Sequence, residues 1–191
     1  MRNFFEDRIN KARKSILISQ DSVLFAENLA ESIFKSNKIE VPYLDKKNTS
    51  GKIGEEVVNF GNAPVNIKYI PSEPMEYVLF KTPIVVDIGL FEHIVHGIIQ
   101  SNSPEFIEGR YLYYKKFSSK RISGNDSVIE DLNKQAKAAI ERIQDVLDNF
   151  KSEVESFNEN DLKPIINETI NREREKRNTI SDSEKKLNPF G

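Results

Sequence analysis

The chain has 191 residues, a net charge of −2 at pH 7 and a sequence pI of about 5.9. This balance argues against a strongly basic protein dedicated to binding nucleic acid. The absence of cysteine excludes disulfides, zinc–thiolate sites and cysteine nucleophiles. Because the first residues carry charges throughout and no stretch approaches the roughly 20 apolar residues that cross a bilayer, we expect a cytoplasmic protein without a membrane segment.

Two short helices are predicted at the start of the chain. Apolar residues recur at spacings of three and four from Phe5 to Ile16, which predicts a helix over residues 4–18. The same spacing predicts a second helix over residues 22–36, and Asp21 is suited to cap it.

The middle of the chain, from residue 38 to residue 120, is rich in glycine and proline, which interrupt every helical pattern. Short runs enriched in β-branched and aromatic residues lie between these breaks and are typical of strands. Since no connecting helix is predicted between them, we expect a small, mostly antiparallel sheet over about residues 55–117. The candidate strands are Glu55–Phe60, Val65–Ile70, Pro83–Ile88, Ile94–Ile99 and Arg110–Phe117.

The C-terminal third carries the clearest periodicity in the sequence. Its apolar residues step by four and three, which predicts one helix of about 30 residues and roughly 45 Å. This seam consists of Val128, Leu132, Ala136, Ala139, Ile143, Val146, Phe150, Val154 and Phe157. We interpret the seam as packing against the sheet; the alternative is a coiled coil that makes a homodimer.

A second C-terminal helix is predicted after a turn at residues 158–161, because Pro164 falls in the first turn of the following apolar pattern. The two helices form a long hairpin over residues 123–178, packed on an α+β domain over residues 1–122. Residues 179–191 have two interpretations, a tail or a linker. The predicted fold class is α+β, with short N-terminal helices, a small mostly antiparallel sheet and a long C-terminal helical hairpin.

The two histidines, His93 and His96, lie close in sequence to Asp87 and Glu92, which raises the question of a metal site. In a strand, residues three apart point to opposite faces and do not share a metal. We therefore predict no metal ligand here. A metalloenzyme with oxygen and nitrogen ligands built on these four residues is the third-ranked functional hypothesis.

No catalytic residue and no cofactor are predicted. The sequence has no Gly-x-Ser-x-Gly elbow, and the glycines of residues 51–54 do not form a phosphate-binding loop, so a surface turn is expected there. A PD-(D/E)XK nuclease needs an acid-x-Lys pair on the strand that follows its Asp. Asp87 suits the first position, but six residues separate Glu108 from Lys115.

A basic and aromatic segment is the candidate nucleic-acid-binding surface. If it is a strand, Tyr111, Tyr113 and Lys115 share one face, which suits stacking on bases beside phosphate neutralisation. The other interpretation is a half-buried strand whose tyrosines complete the core. The candidate residues are Arg110, Tyr111, Tyr113, Lys115, Lys116, Lys120 and Arg121.

Two short motifs carry a family resemblance. The first comprises Ile70, Pro71, Leu79, Phe80 and Pro83, and the second comprises Phe157, Asn158, Leu162, Ile166, Ile170 and Arg174. With the order of the elements, they resemble the N-terminal region of uncharacterised bacterial proteins that carry a C-terminal PD-(D/E)XK restriction-endonuclease-like domain. Some of those proteins are suspected of defence against phage. The glycine that the first motif expects after its Ile-Pro pair is absent here.

The resemblance implies a non-catalytic accessory, recognition or regulatory domain whose partner is another protein or a C-terminal nuclease-like domain. It transfers no functional residue, because the group's catalytic positions lie in the nuclease-like half. The alternative function is a nucleic-acid-binding module that uses the basic and aromatic strand over residues 110–121.

Overall fold

The computed structural model describes residues 2–58, 73–100 and 103–187. The elements in chain order are α1 (Arg2–Leu17), α2 (Asp21–Leu24), α3 (Leu29–Asn37), β1 (Tyr43–Leu44), β2 (Ser50–Val57), β3 (Pro74–Val85), α4 (Ile88–Val95), β4 (Glu105–Glu108), β5 (Tyr111–Phe117), α5 (Asp126–Asn149), α6 (Lys151–Ser156) and α7 (Lys163–Lys186). The α+β class is confirmed, with a small antiparallel sheet and a long helical C-terminal region. Among the described residues, no helix combines the length and the apolar character needed to cross a membrane.

The chain divides into two compact units. The first combines Met1–Glu40 with Lys151–Gly191, and the second is Val41–Phe150. The predicted boundary between residues 122 and 123 lies inside the second unit. The two helices that were predicted to form one hairpin belong to different units, α5 to the second and α7 to the first.

In the first unit, the single helix predicted over residues 22–36 is wrong, because α2 and α3 are separate helices. Arg174 of α7 explains the interruption. Its Nε donates to the Leu24 carbonyl at 2.8 Å and its Nη2 donates to the Ala26 carbonyl at 2.9 Å. These are carbonyls that a continuous helix would use for its own bonds, so a residue about 150 positions away replaces that bonding.

The turn predicted at residues 158–161 is also wrong. The chain stays helical there as a π-helical turn, Phe157–Leu162, which joins α6 to α7. The wider turn leaves Phe157 and Leu162 both buried, and the Phe157 ring stacks on Phe5 with 4.2 Å between centroids. Packing of these side chains therefore outweighs the local turn signal of the polar residues between them.

In the second unit, the sheet has the strand order β1-β3-β5-β4, with β2 also paired to β3, and every pairing is antiparallel. The prediction of a strand over residues 110–117 is confirmed by β5. The strands predicted at residues 55–60 and 83–88 overlap only the ends of β2 and β3, which begin earlier. The candidate Val65–Ile70 lies outside the described residues.

The strand predicted over Ile94–Ile99 is wrong, because α4 and a turn occupy this region. The Asp87 carboxylate caps α4 by accepting a bond from the Leu90 backbone N–H at 3.1 Å. The apolar residues Leu90, Phe91, Ile94 and Val95 are then buried, with the spacing of a helix face. A short apolar run without polar alternation fits a helix or a strand equally well, and the cap decides between them.

The core of the second unit lies between α5 and the inner face of the sheet. Val78, Ile122 and Leu132 form a buried cluster, with Phe80 and Val128 packed against it. The helix predicted through residue 157 ends earlier, because α5 stops at Asn149. The predicted seam is consequently divided. Leu132, Ala139, Ile143 and Val146 lie on α5, Phe150 follows it, and Val154 and Phe157 belong to the first unit.

Candidate nucleic-acid interface

The two faces of β5 differ in their environment. Leu112 and Tyr114 are buried toward α5, and Tyr111, Tyr113 and Lys115 are half-buried on the opposite, outer face. Burial, together with the smaller effect of the nearby Glu105 and Asp131 carboxylates, raises the pKa of the Tyr114 hydroxyl to about 12. The outer face is therefore the part of β5 that presents several aromatic rings to solvent.

Neighbouring strands extend this outer face with rings. The register pairs Tyr113 with Phe106 of β4 on one side and with Lys81 of β3 on the other. The Phe106 and Tyr113 rings are stacked, with 5.0 Å between centroids and 8° between planes. The Tyr111 ring lies 6.3 Å from Tyr113. We call the surface made by Tyr77, Lys81, Phe106, Tyr111, Tyr113, Lys115 and Phe117 the outer aromatic face.

Two lysines lie over these rings. Lys81 Nζ is 3.7 Å from the Tyr111 centroid, and Lys115 Nζ is 4.4 Å from the Tyr77 centroid and 5.0 Å from that of Phe117. Lys115 also forms an ion pair with Glu56 of β2. Cation–π contacts at exposed sites contribute about 0.5–1 kcal/mol each, so the rings favour these positions of the two lysines.

Glycines of β2 make room for aromatic side chains from β3. The expectation of a surface turn over residues 51–54 is wrong, because this segment lies within β2. Gly54 is opposite Tyr77, and a Cβ at Gly54 would collide with the Tyr77 ring. Gly51 is opposite Phe80, whose ring would lie 2.9 Å from an added Cβ. The glycine pattern therefore serves aromatic packing across strands.

The structure brings only part of the predicted set together. Arg110 precedes β5 and donates to the Val86 carbonyl at 3.1 Å. Lys116 points to the inner side and donates to Gln135 Oε1 of α5 at 2.5 Å. Lys120 and Arg121 are exposed in the loop after β5. Sequence reasoning missed the contributions of β3 and β4. The predicted strand began at Pro83 and so left out Tyr77 and Lys81 of β3, and no strand was predicted over β4. The alternation of Tyr77, Leu79 and Lys81 was the signal that could have placed the strand earlier in the chain.

The histidines occupy a helical setting. His93 lies in the last turn of α4 and His96 follows it as the C-terminal cap, so the expectation that a strand separates them is wrong. Even so, across residues 2–58, 73–100 and 103–187 no group of three or more His, Asp or Glu side chains is placed to hold a metal ion. The metalloenzyme hypothesis therefore has no geometric support in the described region.

Comparison with known proteins returns no family model, curated protein or solved structure that matches this chain. The resemblance to a PD-(D/E)XK-associated region consequently stays a prediction.

Proposed function

We propose that this chain is a single-stranded nucleic-acid-binding module and that the outer aromatic face is its binding surface. The observation that carries the proposal is the placement of stacked and tilted rings around two lysines on one half-exposed sheet face. The accessory role beside a nuclease-like partner, with its link to phage defence, stays a separate prediction from the resemblance.

The rings supply a stacking platform. Tyr111 and Tyr113 are two positions apart on one strand, and Phe106 extends the platform onto β4. Stacking of a base on an aromatic side chain contributes about 1–3 kcal/mol and tolerates any base. A paired duplex hides its base faces, so this surface favours an unpaired strand.

The lysines supply the electrostatic component. Lys81 and Lys115 stand between the rings, where phosphates of a strand stacked on them would pass. Neutralising each phosphate releases counterions and makes affinity fall with salt. The net charge of −2 for the whole chain is compatible with this, because the contacts depend on two lysines of this face, Lys81 and Lys115, and not on the overall charge.

Fluorescence anisotropy with a labelled 12-nucleotide oligothymidylate tests the proposal over a salt series. We expect Tyr113→Ala to weaken binding by about 1–3 kcal/mol. We expect Lys115→Gln to reduce the slope of log affinity against log salt by about 0.7, the value for one contact to a single strand.

Phe25→Ala is the control, because Phe25 is an exposed aromatic residue that follows α2 in the first unit, which contains none of the sheet. The proposal fails if the oligomer does not bind, if Tyr113→Ala and Phe25→Ala behave alike, or if a duplex of equal length binds as tightly. If the outer aromatic face binds a protein and not nucleic acid, the oligomer should not bind.

A further inference from the structure

A polar pocket of about 340 Å³ opens where β5 ends and α5 begins. Two lysines, Lys116 and Lys120, line it together with the hydroxyl-bearing residues Ser118, Ser119 and Ser127. The pocket borders the outer aromatic face at Phe117 but contains none of its tyrosines or lysines. It therefore contains two of the predicted cations that the outer face leaves out, Lys116 and Lys120.

A chain of side-chain bonds holds one of the lysines in position. Lys116 Nζ donates to Gln135 Oε1 at 2.5 Å, and Gln135 Nε2 donates to Asp131 Oδ2 at 2.7 Å. Asp131 is the acidic residue of the lining, and Gln135 stands between its carboxylate and the ammonium group. One N–H of Lys116 is used in this bond, which leaves two further N–H groups for a ligand.

The hydroxyl groups complete a set of donors. Ser118 Oγ accepts a bond from the Lys120 backbone N–H at 3.1 Å, so its own hydroxyl hydrogen remains to be donated elsewhere. Ser119 and Ser127 are exposed and rotate freely enough to donate to a bound oxygen. The two ammonium groups and three hydroxyls of the lining supply more donors than the carboxylate of Asp131 supplies acceptors, so donors remain for a bound anion.

We propose that this pocket binds a terminal phosphate group, either as free inorganic phosphate or as a phosphomonoester. A phosphomonoester carries close to two negative charges at pH 7 and three strong acceptor oxygens, which match two lysines and several hydroxyls. The assignment is independent of the proposed function, because it needs only the pocket's own residues. The same group occurs as free phosphate or at the 5′ end of a nucleic-acid strand.

Titration of the ¹⁵N-labelled chain with inorganic phosphate tests the pocket, with ionic strength held constant by chloride. We expect saturable shifts of the amide resonances of Ser118, Ser119, Lys120 and Ser127. Lys120→Ala and Lys116→Gln should each weaken binding about fivefold, the upper range for exposed charge pairs. Lys134→Ala is the control, since Lys134 lies on α5 outside the pocket with a 72% exposed side chain.

The proposal is overturned if phosphate shifts are linear and spread over surface lysines, or if Lys116→Gln and Lys120→Ala bind phosphate as wild type does. Oligothymidylates with and without a 5′-phosphate separate the two sources. If the wild type prefers the phosphorylated strand and Lys120→Ala removes that preference, the ligand is a strand end. If the wild type shows no such preference but still binds inorganic phosphate, the ligand is the free anion. Tyr113→Ala should leave phosphate binding unchanged, so the two proposals fail separately.

Discussion

Asn158 pairs with both peptide groups of Ile39 through a single side chain. Its Nδ2 donates to the Ile39 carbonyl at 2.8 Å, and its Oδ1 accepts from the Ile39 N–H at 3.0 Å. Ile39 is buried, so these bonds satisfy backbone groups that lie away from bulk water. The π-helical turn thereby bonds to the chain beyond α3 within the first unit.

The variant Asn158→Asp tests this pairing with almost no change of shape. The carboxylate introduced there still accepts from the Ile39 N–H but donates nothing to the Ile39 carbonyl. We expect a loss of about 1–3 kcal/mol in the free energy of unfolding at pH 7, the cost of an unsatisfied buried acceptor. Urea denaturation followed by circular dichroism measures it.

Asn160→Asp is the matched control, since Asn160 is exposed in the same π-helical turn. Equal stability of the two variants would contradict a structural role for the Asn158 pairing.

Replacing glycine by alanine should have different effects on stability at Gly54, which lies under the Tyr77 ring, and at Gly97. Gly54→Ala forces the Tyr77 ring to move, and because the clash is with the far end of that side chain we expect a destabilisation of about 1 kcal/mol, the low end for overpacking. At Gly97 an added Cβ meets nothing within 4 Å, so Gly97→Ala should be neutral or stabilise by up to about 1 kcal/mol. Thermal unfolding of both variants checks the contrast, and a stable Gly54→Ala would show that the ring does not cover this glycine.

The buried hydroxyl of Tyr114 predicts a loss of stability at alkaline pH. Its pKa in the folded chain is about 12, above the ordinary value of about 10, so the neutral form is favoured by folding. The stabilisation is complete below about pH 10 and is lost as the pH rises toward about 12, by roughly 1.4 kcal/mol for each pH unit in that window.

Tyr114→Phe removes this titration. Denaturation midpoints of the wild type and of Tyr114→Phe at pH 9, 10 and 11 should show a smaller alkaline loss in the variant. Parallel curves would mean that Tyr114 does not contribute to the pH dependence.

The ion pair between Lys115 and Glu56 predicts a gain in nucleic-acid affinity when the carboxylate is removed. Glu56→Gln leaves the Lys115 charge without its acidic neighbour, so we expect oligothymidylate to bind a few-fold more tightly at low salt. Glu55→Gln changes the adjacent acid, whose side chain points to the opposite face of β2, and controls for net charge. Equal effects of the two variants would assign the change to overall charge alone.

Arg174 predicts a local effect on the α2–α3 connection. Lys has one ammonium group in place of the planar fork that contacts the Leu24 and Ala26 carbonyls, so Arg174→Lys should cost about 1–2 kcal/mol. Hydrogen exchange should quicken for amides over residues 22–30. Arg172→Lys, at an exposed position of α7, is the control, and matching exchange rates in both variants would rule out the anchoring role.

The second motif of the family resemblance shows how sequence and structure divide this information. Leu162, Ile166 and Ile170 were recognisable as apolar residues at helical spacing, and all three are buried. Asn158 and Arg174 gave no such signal, because their partners are backbone groups of residues before position 40. Local patterns report period and polarity, whereas a hydrogen bond to a distant carbonyl exists only after the helices pack.

The amino-acid sequence by itself determined the absence of thiol chemistry, the α+β class, the helical C-terminal region and the alternation of β5, because these depend on composition and on local periodicity. Only the tertiary structure decided that Lys81, Phe106 and Tyr113 share one surface and that Lys116 and Lys120 share another. The physical reason is that strand register and helix docking set which side chains become neighbours, and both arise from burial shared among segments far apart in the chain.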